Sequence, residues 1–376
     1  MKLRTALVGS CLTLAMAMTA ATTAAARDVR IVVGVPQGSA AHYGVDAFAA
    51  DLAARTNDDL SVKVFPSSLL DLRQTFGGVR DGIVDGGYMV INMFPSELPE
   101  AQLPIELAML GKNPYAMSGA MTEYMFTCEP CIAERLANNQ VYLGSASTGV
   151  YAILGTSKMT TLEEIAGKKL RAAGGAWARW AAGMGAVGVN LSGNEIFEAV
   201  SQGTIDGAMN AASELSSLRL IDIATDVTTN LPGGTVHSLD VMGVSKTFWG
   251  SLTVEQRRAY LDAAALGNAA TTWKFHNDVV TNLEDARAKG LGVHEASAEM
   301  VAKSNEIIEA DLANIAQVAK DTHGIEDGEA KIQRFRDLIA KWEGLLPLDK
   351  SWTEAEVAEV FRTEIFSKID PATYGQ

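Results

Sequence analysis

The stretch from Lys168 to Asn210, KKLRAAGGAWARWAAGMGAVGVNLSGNEIFEAVSQGTIDGAMN, carries the reading that decides the fold. A basic segment ending in Leu170-Arg171 reads as a strand. The pair Gly174-Gly175 turns it into a helix bearing Trp177 and Trp180, and Val187 to Leu191 reads as the next strand. Ser192-Gly193-Asn194-Glu195 then has the pattern of a capping box, in which hydroxyl and carboxylate each satisfy an orphan backbone N–H. Gly203 ends that helix, and Thr204 to Asn210 reads as a further strand. Alternation of this kind builds open α/β sheets, which place their ligands at the carboxyl ends of strands. Arg171 and Asn210 both fall at such ends.

Upstream, Thr75 to Met89 (TFGGVRDGIVDGGYM) echoes Ile196 to Asn210 (IFEAVSQGTIDGAMN) residue for residue in register. Phe76 matches Phe197, Val79 matches Val200, Gly82 matches Gly203, and Asp85-Gly86 matches Asp206-Gly207. Each copy reads as a helix, a glycine turn and a short strand. Two similar α/β lobes follow, with a small-molecule cleft between them. Elsewhere, Val29 to Gly34 and Leu60 to Phe65 read as strands around a helix that starts near His42-Tyr43. Asn92 to Pro104 is proline-rich and reads as irregular, and Tyr115 to Asn139 reads as helices. Gln140 to Ser145, Gly149 to Thr156 and Val236 to Val244 read as strands, with Gly149 marking a crossing between lobes. From Thr253, capped by Gln256, the pattern is almost entirely helical, ending in a tail helix over Thr353 to Ile369.

The full chain of 376 residues carries a formal charge of −14. Its first 26 residues have Lys2 and Arg4, an apolar run and a small-residue end at Ala24-Ala25-Ala26, the pattern of a cleaved secretory signal. Val8-Gly9-Ser10-Cys11 loosely matches a lipoprotein box but comes too early in the apolar run. Removal of the leader leaves 29 basic against 45 acidic residues, a net −16. That charge argues against nucleic-acid and anionic-membrane partners. No later stretch is long and apolar enough for membrane insertion. The expected organisation is a signal at 1–26, a first lobe over 27–148 plus about 237–276, and a second over 149–236 plus about 277–376 with the C-terminal helices.

Catalytic patterns are scarce. There is no GxSxG elbow, and the five histidines are scattered without metal-ligand spacing. No cofactor or metal is expected. Gly183 to Gly188 matches GxGxxG literally, but its glycines end a helix and lead into a strand, the inverse of a dinucleotide site. Cys128-Glu129-Pro130-Cys131 reads as a small structural disulfide in an exported protein, with a redox CxxC as the alternative. Arg171 is the leading candidate, because a guanidinium fork matches a carboxylate. Strand-end arginines more often form structural ion pairs. Asn210 could donate and accept from its amide, or cap a turn. Trp177, Tyr43, Tyr88, Tyr151, Asn92 and His237 complete the candidate pocket, although aromatic residues on one helix face are more often core.

These residues make the chain recognisable. Thr161 to Arg171 (TLEEIAGKKLR) and Glu195 to Asn210 resemble the periplasmic solute-binding subunit of tripartite ATP-independent periplasmic (TRAP) transporters, in the dicarboxylate-receptor family. The resemblance implies a two-lobed binding-protein fold with crossing strands, a long lobe-spanning helix and a helical C-terminal tail. It implies that Arg171 pairs with a ligand carboxylate, that Asn210 assists, and that the closed form docks on TRAP membrane subunits without performing chemistry. One departure stands out. Relatives that bind sugar acids or dicarboxylates often carry a second arginine just after the glycine that Gly149 resembles, whereas this chain has Gly149-Val150-Tyr151-Ala152. A second ligand carboxylate would lack a partner there. With Trp177 and Tyr151 nearby, the expected ligand is a monocarboxylate with an apolar or aromatic body. The rival functions are an exported thiol oxidoreductase using Cys128 and Cys131, and a ligand sensor for a membrane kinase.

Overall fold

A computed structural model describes residues 27–376; the leader and the motif at residues 8–11 lie outside the described residues. Two sheets organise the chain. The first orders its strands Leu60–Phe65, Arg27–Val32, Gly86–Gly87, Val244–Ser245 and Gln140–Val141. The second runs Gly292–Glu295, Asp226–Thr229, Tyr151–Gly155, Gly207–Ala211, Lys169–Ala172 and Val187–Asn190. Arg27–Val32 pairs in parallel with both of its neighbours, as does Lys169–Ala172 with its own. Tyr151–Gly155 runs against both neighbours. Its beginning, not its end, therefore lies beside the carboxyl ends of the strands around it.

The sequence echo is a structural echo. Asp85 N donates to Arg30 O, and the Arg30 N–H returns a bond to Asp85 Oδ2, both at 2.8 Å. In the second lobe Asp206 N donates to Lys169 O at 2.7 Å, and Lys169 N to Asp206 Oδ2 at 2.8 Å. Each aspartate thus clamps its turn to the neighbouring strand. The glycine that follows is required by space, since a Cβ on Gly86 or Gly207 would come within 2.7 Å of the Gly243 or Leu154 carbonyl oxygen.

Two antiparallel crossing segments and one helix join the lobes. Thr148 N donates to Val236 O and Tyr151 N to Gly234 O, each at 2.9 Å. The helix Val254–Ala288 opens on the expected Thr253–Gln256 capping box and runs 35 residues, about 52 Å long. It packs on the first-lobe helix Ala40–Arg55, holds Ser147 N through Thr272 Oγ1 at 3.0 Å, and reaches the second lobe, where Asn282 Oδ1 accepts from Ser216 N at 2.9 Å. Gly149 sits against this helix: an added Cβ would meet Phe275 O at 3.3 Å.

Several expectations need correction. The helix Ala298–Leu312 does pack on the second lobe, where Ser304 Oγ accepts from Trp180 Nε1 at 2.8 Å. Beyond it the tail belongs to the first lobe. In the helix Gly328–Leu345, Trp342 Nε1 and Lys341 Nζ both reach Glu123, at 2.7 and 2.8 Å. The Trp342 ring fills the space left by Gly119 on the facing helix Pro114–Phe126. The proline-rich segment is not irregular throughout, because Pro99 takes the tolerated first position of a helix, Pro99–Glu106. The strand expected over Val236 to Val244 breaks into Leu239–Asp240 and Val244–Ser245, since buried Asp240 turns back to accept from Gly243 N at 2.8 Å. Of the strand over Gln140 to Ser145 only Gln140–Val141 forms. Gly292–Glu295 supplies a strand inside the region read as helical. The tail helix stops at Glu364, followed by a 3-10 turn over Phe366–Lys368. Cys128 and Cys131 form a disulfide at the start of the helix Glu129–Ala137. Both are buried, at 3% and 0% exposure, so a thiolate partner has no direct approach to the sulfurs.

The contact between the Ala40–Arg55 and Val254–Ala288 helices depends on Gly44, where a Cβ would sit 1.8 Å from Thr271 Oγ1 and 2.6 Å from Gly267 O. Overpacking of this kind costs roughly 1–3 kcal/mol. Gly44→Ala is expected to lower the urea midpoint at an unchanged m-value, and an unaltered midpoint would show that the two helices separate at little cost.

Candidate functional site

Arg171 sits in the strand Lys169–Ala172 with its guanidinium held between the two adjoining strands. Nε donates to Leu191 O at 2.9 Å and Nη1 to Met209 O at 3.1 Å. The side chain is 7% exposed, and among the described residues no carboxylate lies within the 4.0 Å of an ion pair. The Tyr151 hydroxyl lies beside the guanidinium, which therefore keeps only a neutral neighbour on its cavity side. Asn210, in the strand Gly207–Ala211, is 1% exposed, and among the described residues its Nδ2 has no hydrogen-bond partner. A buried donor left unmade costs about 1–3 kcal/mol, so an acceptor is called for here.

The first lobe contributes Asn92 from the 3-10 turn Ile91–Met93. Its Nδ2 donates to Ala173 O in the second lobe, which turns its buried Oδ1 away without a partner. Gly174 makes that carbonyl available: its φ of +138° and ψ of −169° form a backbone that essentially only glycine adopts, at the start of the tryptophan helix Gly175–Gly183. Tyr88 and Tyr151 complete the polar wall. Burial raises both phenols above their ordinary pKa, with Arg171 opposing, so both remain neutral donors.

These groups line one cavity of about 200 Å³ between the lobes. Val35, Leu72, Val90 and Met93 supply apolar wall from the first lobe, and Leu191 and Leu218 from the second. Two further polar contacts tie the lobes beside it. Arg73 Nη2 meets Glu195 Oε2 at 2.9 Å, and Asn194 Nδ2 donates to Gly34 O at 2.8 Å.

Of the eight side chains singled out from the sequence, Arg171, Asn210, Tyr151, Tyr88 and Asn92 converge on this cavity. Three do not. Trp177 is buried behind Tyr151, with ring centroids 5.3 Å apart and its Nε1 donating to Gly233 O at 2.8 Å. Its role at the cavity is to back the tyrosine. Tyr43 stacks on Trp273, 6.1 Å between centroids, on the outer side of the long helix. His237 is sealed in the core against Phe335, with both ring nitrogens facing carbonyls, Thr235 O at 3.2 Å and Pro104 O at 3.1 Å. Burial lowers its pKa to about 4, so it is a neutral core residue.

The sequence reading missed Arg73 and Glu214. Both line the cavity. Arg73 comes from the first-lobe helix Leu72–Arg80, whose start is fixed by an Asp71–Gln74 capping box. Glu214 lies four residues past Asn210 in Asn210-Ala211-Ala212-Ser213-Glu214. A lone acid after an apolar strand end was the available signal. Burial raises its pKa to about 7, against the opposing pull of Arg171 and of the Asn210 amide. That amide is close enough to favour the ionised form without meeting it in hydrogen-bond geometry.

Residues 32–318 match the family described as bacterial extracellular solute-binding protein, family 7. A solute-binding protein of Verminephrobacter eiseniae is 24% identical over 282 residues, which span 73% of this chain and 81% of that protein. Among solved structures, a marine metagenome TRAP solute-binding protein specific for aromatic acid ligands, in complex with 3-hydroxybenzoate, superposes with a TM-score of 0.75. It is 21% identical, and the match covers 85% of this chain and 100% of the other. A TRAP solute-binding protein from Rhodoferax ferrireducens in complex with copurified benzoate gives a TM-score of 0.74 at 17% identity, over 85% of this chain and 99% of that one. At these identities the structural likeness establishes the two-lobed fold.

Glu214 also makes a pH prediction. Its folded pKa of about 7 lies above the ordinary 4.5. Its favourable contribution is therefore complete below pH 4.5 and is lost as pH rises through 7. Arg171, Tyr88, Tyr151 and Asn210 are the groups that face it, and the tyrosines stay neutral over this range. Glu214→Gln should match wild type in urea midpoint near pH 4.5 and exceed it at pH 8. The gap is bounded at about 3 kcal/mol and reduced by whatever water reaches the carboxylate. A gap independent of pH would refute the shifted carboxyl.

Proposed function

The chain belongs to the bacterial extracellular solute-binding protein family 7, and on that premise we propose that it is the periplasmic receptor of a TRAP transporter for a small organic monocarboxylate. One observation carries the ligand class. Arg171 is a buried cation, fixed by two carbonyls, with no protein counter-ion within ion-pair distance among the described residues. An unpaired buried charge is costly, and a carboxylate taken onto its free donors, with Asn210 Nδ2 alongside, relieves that cost.

The same charge distribution argues for a single carboxylate. Residues 150–152 hold no base. The other arginine lining the cavity, Arg73, is already neutralised by Glu195 at 2.9 Å. The apolar walls and the Tyr88 and Tyr151 rings suit an aromatic or branched apolar body. At about 200 Å³ the cavity lies below the range of drug-sized sites, so the occupant is small. The aromatic acids bound by the two structural relatives, 3-hydroxybenzoate and benzoate, support this reading. The receptor works outside the cytoplasm, hands its ligand to the membrane subunits and performs no chemistry. Its disulfide is structural, and Arg171, Asn210, Tyr151, Tyr88 and Asn92 form the binding set.

The test is calorimetric titration of the purified protein with aromatic, aliphatic and dicarboxylic acids, with Arg171→Ala and Arg171→Lys in parallel. Removing one partner of a buried charge pair costs about 2–5 kcal/mol, so Arg171→Ala should weaken an aromatic monoacid by roughly 30-fold or more. Lysine should rescue only part of this, because it cannot present a bidentate fork. Affinity retained in Arg171→Ala would remove the anchor, and preferential binding of dicarboxylates would overturn the single-carboxylate reading.

A further inference from the structure

The cavity holds unmet demand of both signs. On the donor side stand the Arg171 guanidinium, beside which only the Tyr151 hydroxyl lies, and Asn210 Nδ2, which approaches Glu214 without meeting it in hydrogen-bond geometry. On the acceptor side stands Asn92 Oδ1, buried and unpaired because its own Nδ2 is committed to Ala173 O. Glu214 stands there too, the sole carboxyl among the lining residues and without an ion-pair partner among the described residues. A simple monoacid such as benzoate would satisfy only the donors. A diacid would set a second carboxylate against Glu214 with one cation to share. A monoacid that also carries a hydroxyl satisfies both.

We infer that Glu214 is the specificity-determining residue of this site, accepting a hydrogen bond from a hydroxyl on a monocarboxylate ligand whose carboxylate lies on Arg171 and Asn210. Asn92 lines the same cavity from the opposite lobe, with its Oδ1 buried and unpaired among the described residues. The inference rests on the monocarboxylate reading above and narrows it to hydroxy acids. Sites built to hydrogen-bond a ligand hydroxyl discriminate strongly against the analogue that lacks it, since the pocket's polar groups are then left bare. Ionised or protonated, the Glu214 carboxyl keeps an acceptor oxygen for that contact. In the ionised form it also repels a second ligand carboxylate.

The experiment compares matched acids on one scaffold: benzoate, 3-hydroxybenzoate, 3-aminobenzoate and 3-carboxybenzoate, with mandelate against phenylacetate as a second pair. Each is titrated by calorimetry into wild type, Glu214→Gln and Glu214→Ala at pH 7.5, with Arg171→Ala as the anchor control. Wild type is expected to prefer the hydroxylated member of a pair by at least ~10-fold, a difference of about 1.4 kcal/mol. Glu214→Ala should collapse that preference, so that the plain and hydroxylated members of a pair converge in affinity. Glu214→Gln, whose amide still accepts, should keep part of the preference and admit 3-carboxybenzoate at least ~10-fold more tightly than wild type does.

A hydroxyl preference unchanged in Glu214→Ala overturns the assignment, including the case in which Asn92→Ala abolishes it instead. Equal losses for plain and hydroxylated acids would mean that Glu214 acts on the carboxylate end, and would also overturn it. A hydroxyl contact served equally by the amino compound keeps Glu214 as the acceptor and widens the ligand class to donors in general. If no acid in the panel binds wild type, the receptor reading fails first. If plain acids bind and depend on Arg171 while the hydroxyl gains nothing, only the present inference fails.

Discussion

Arg171 is the constraint around which the second lobe is arranged. A guanidinium at 7% exposure is tolerable only if its donors are used, and two of them are spent on carbonyls of the strands on either side. Those bonds fix the fork rather than neutralise it. The charge remains, facing a cavity whose protein acid, Glu214, stands outside ion-pair range. Such an arrangement is poor design for stability, where a buried cation would be paired or replaced by apolar side chains. On the proposed function it suits capture, because a ligand carboxylate would supply the missing counter-ion.

The duplicated turn places the corresponding strand ends of the two lobes in the same local setting. In each, an Asp-Gly pair locks the end of a helix to a neighbouring strand through a reciprocal backbone and side-chain bond, Asp85 on Arg30 and Asp206 on Lys169. The strand that follows then delivers its next residues to the cleft, Tyr88 from one lobe and Asn210 from the other. The two positions differ by one step of the echo, since Asn210 matches Met89. The repeat thus sets the place of the cavity wall and leaves its side chains free to differ between the halves.

Local signals explain what could be read before the fold was seen. Capping boxes at Ser192 and Thr253, the Asp-Gly turns and the strand-end positions of Arg171 and Asn210 depend on residues a few places apart, and they appear where expected. The misses depend on distant partners. His237 was singled out by its closeness in sequence to the binding stretch, yet the residues that seal it, Pro104 and Phe335, lie far along the chain. Tyr43 was diverted by Trp273 and the long helix. The tail helices were assigned to the wrong lobe because their partner, Glu123 on Pro114–Phe126, is more than two hundred residues upstream. Arg73 escaped notice because its place at the cavity is made by closure of one lobe on the other. Glu214 had a local signal, and its significance came only from the cavity.

The contacts between the lobes also bear on what drives closure. Arg73 and Glu195 are 55% and 46% exposed, and ion pairs of that kind contribute roughly 0–1 kcal/mol before screening by salt. The Asn194 to Gly34 and Asn92 to Ala173 bonds are neutral and few, each worth about 1 kcal/mol net. A stronger tie lies away from the cavity, where Arg179 Nη2 on the helix Gly175–Gly183 meets Glu106 Oε2 on the first-lobe helix Pro99–Glu106 at 2.7 Å, at 30% and 11% exposure. On the proposed function, a ligand in the cavity would meet Arg171 and Asn210 on one lobe and Asn92, Tyr88 and the apolar wall on the other, both sets only with the lobes together. A ligand shifts a conformational equilibrium only by its difference in affinity for the two states. Here that difference amounts to the whole first-lobe half of the site. On the proposed function, a bound acid would therefore add a tie between the lobes that the empty site lacks.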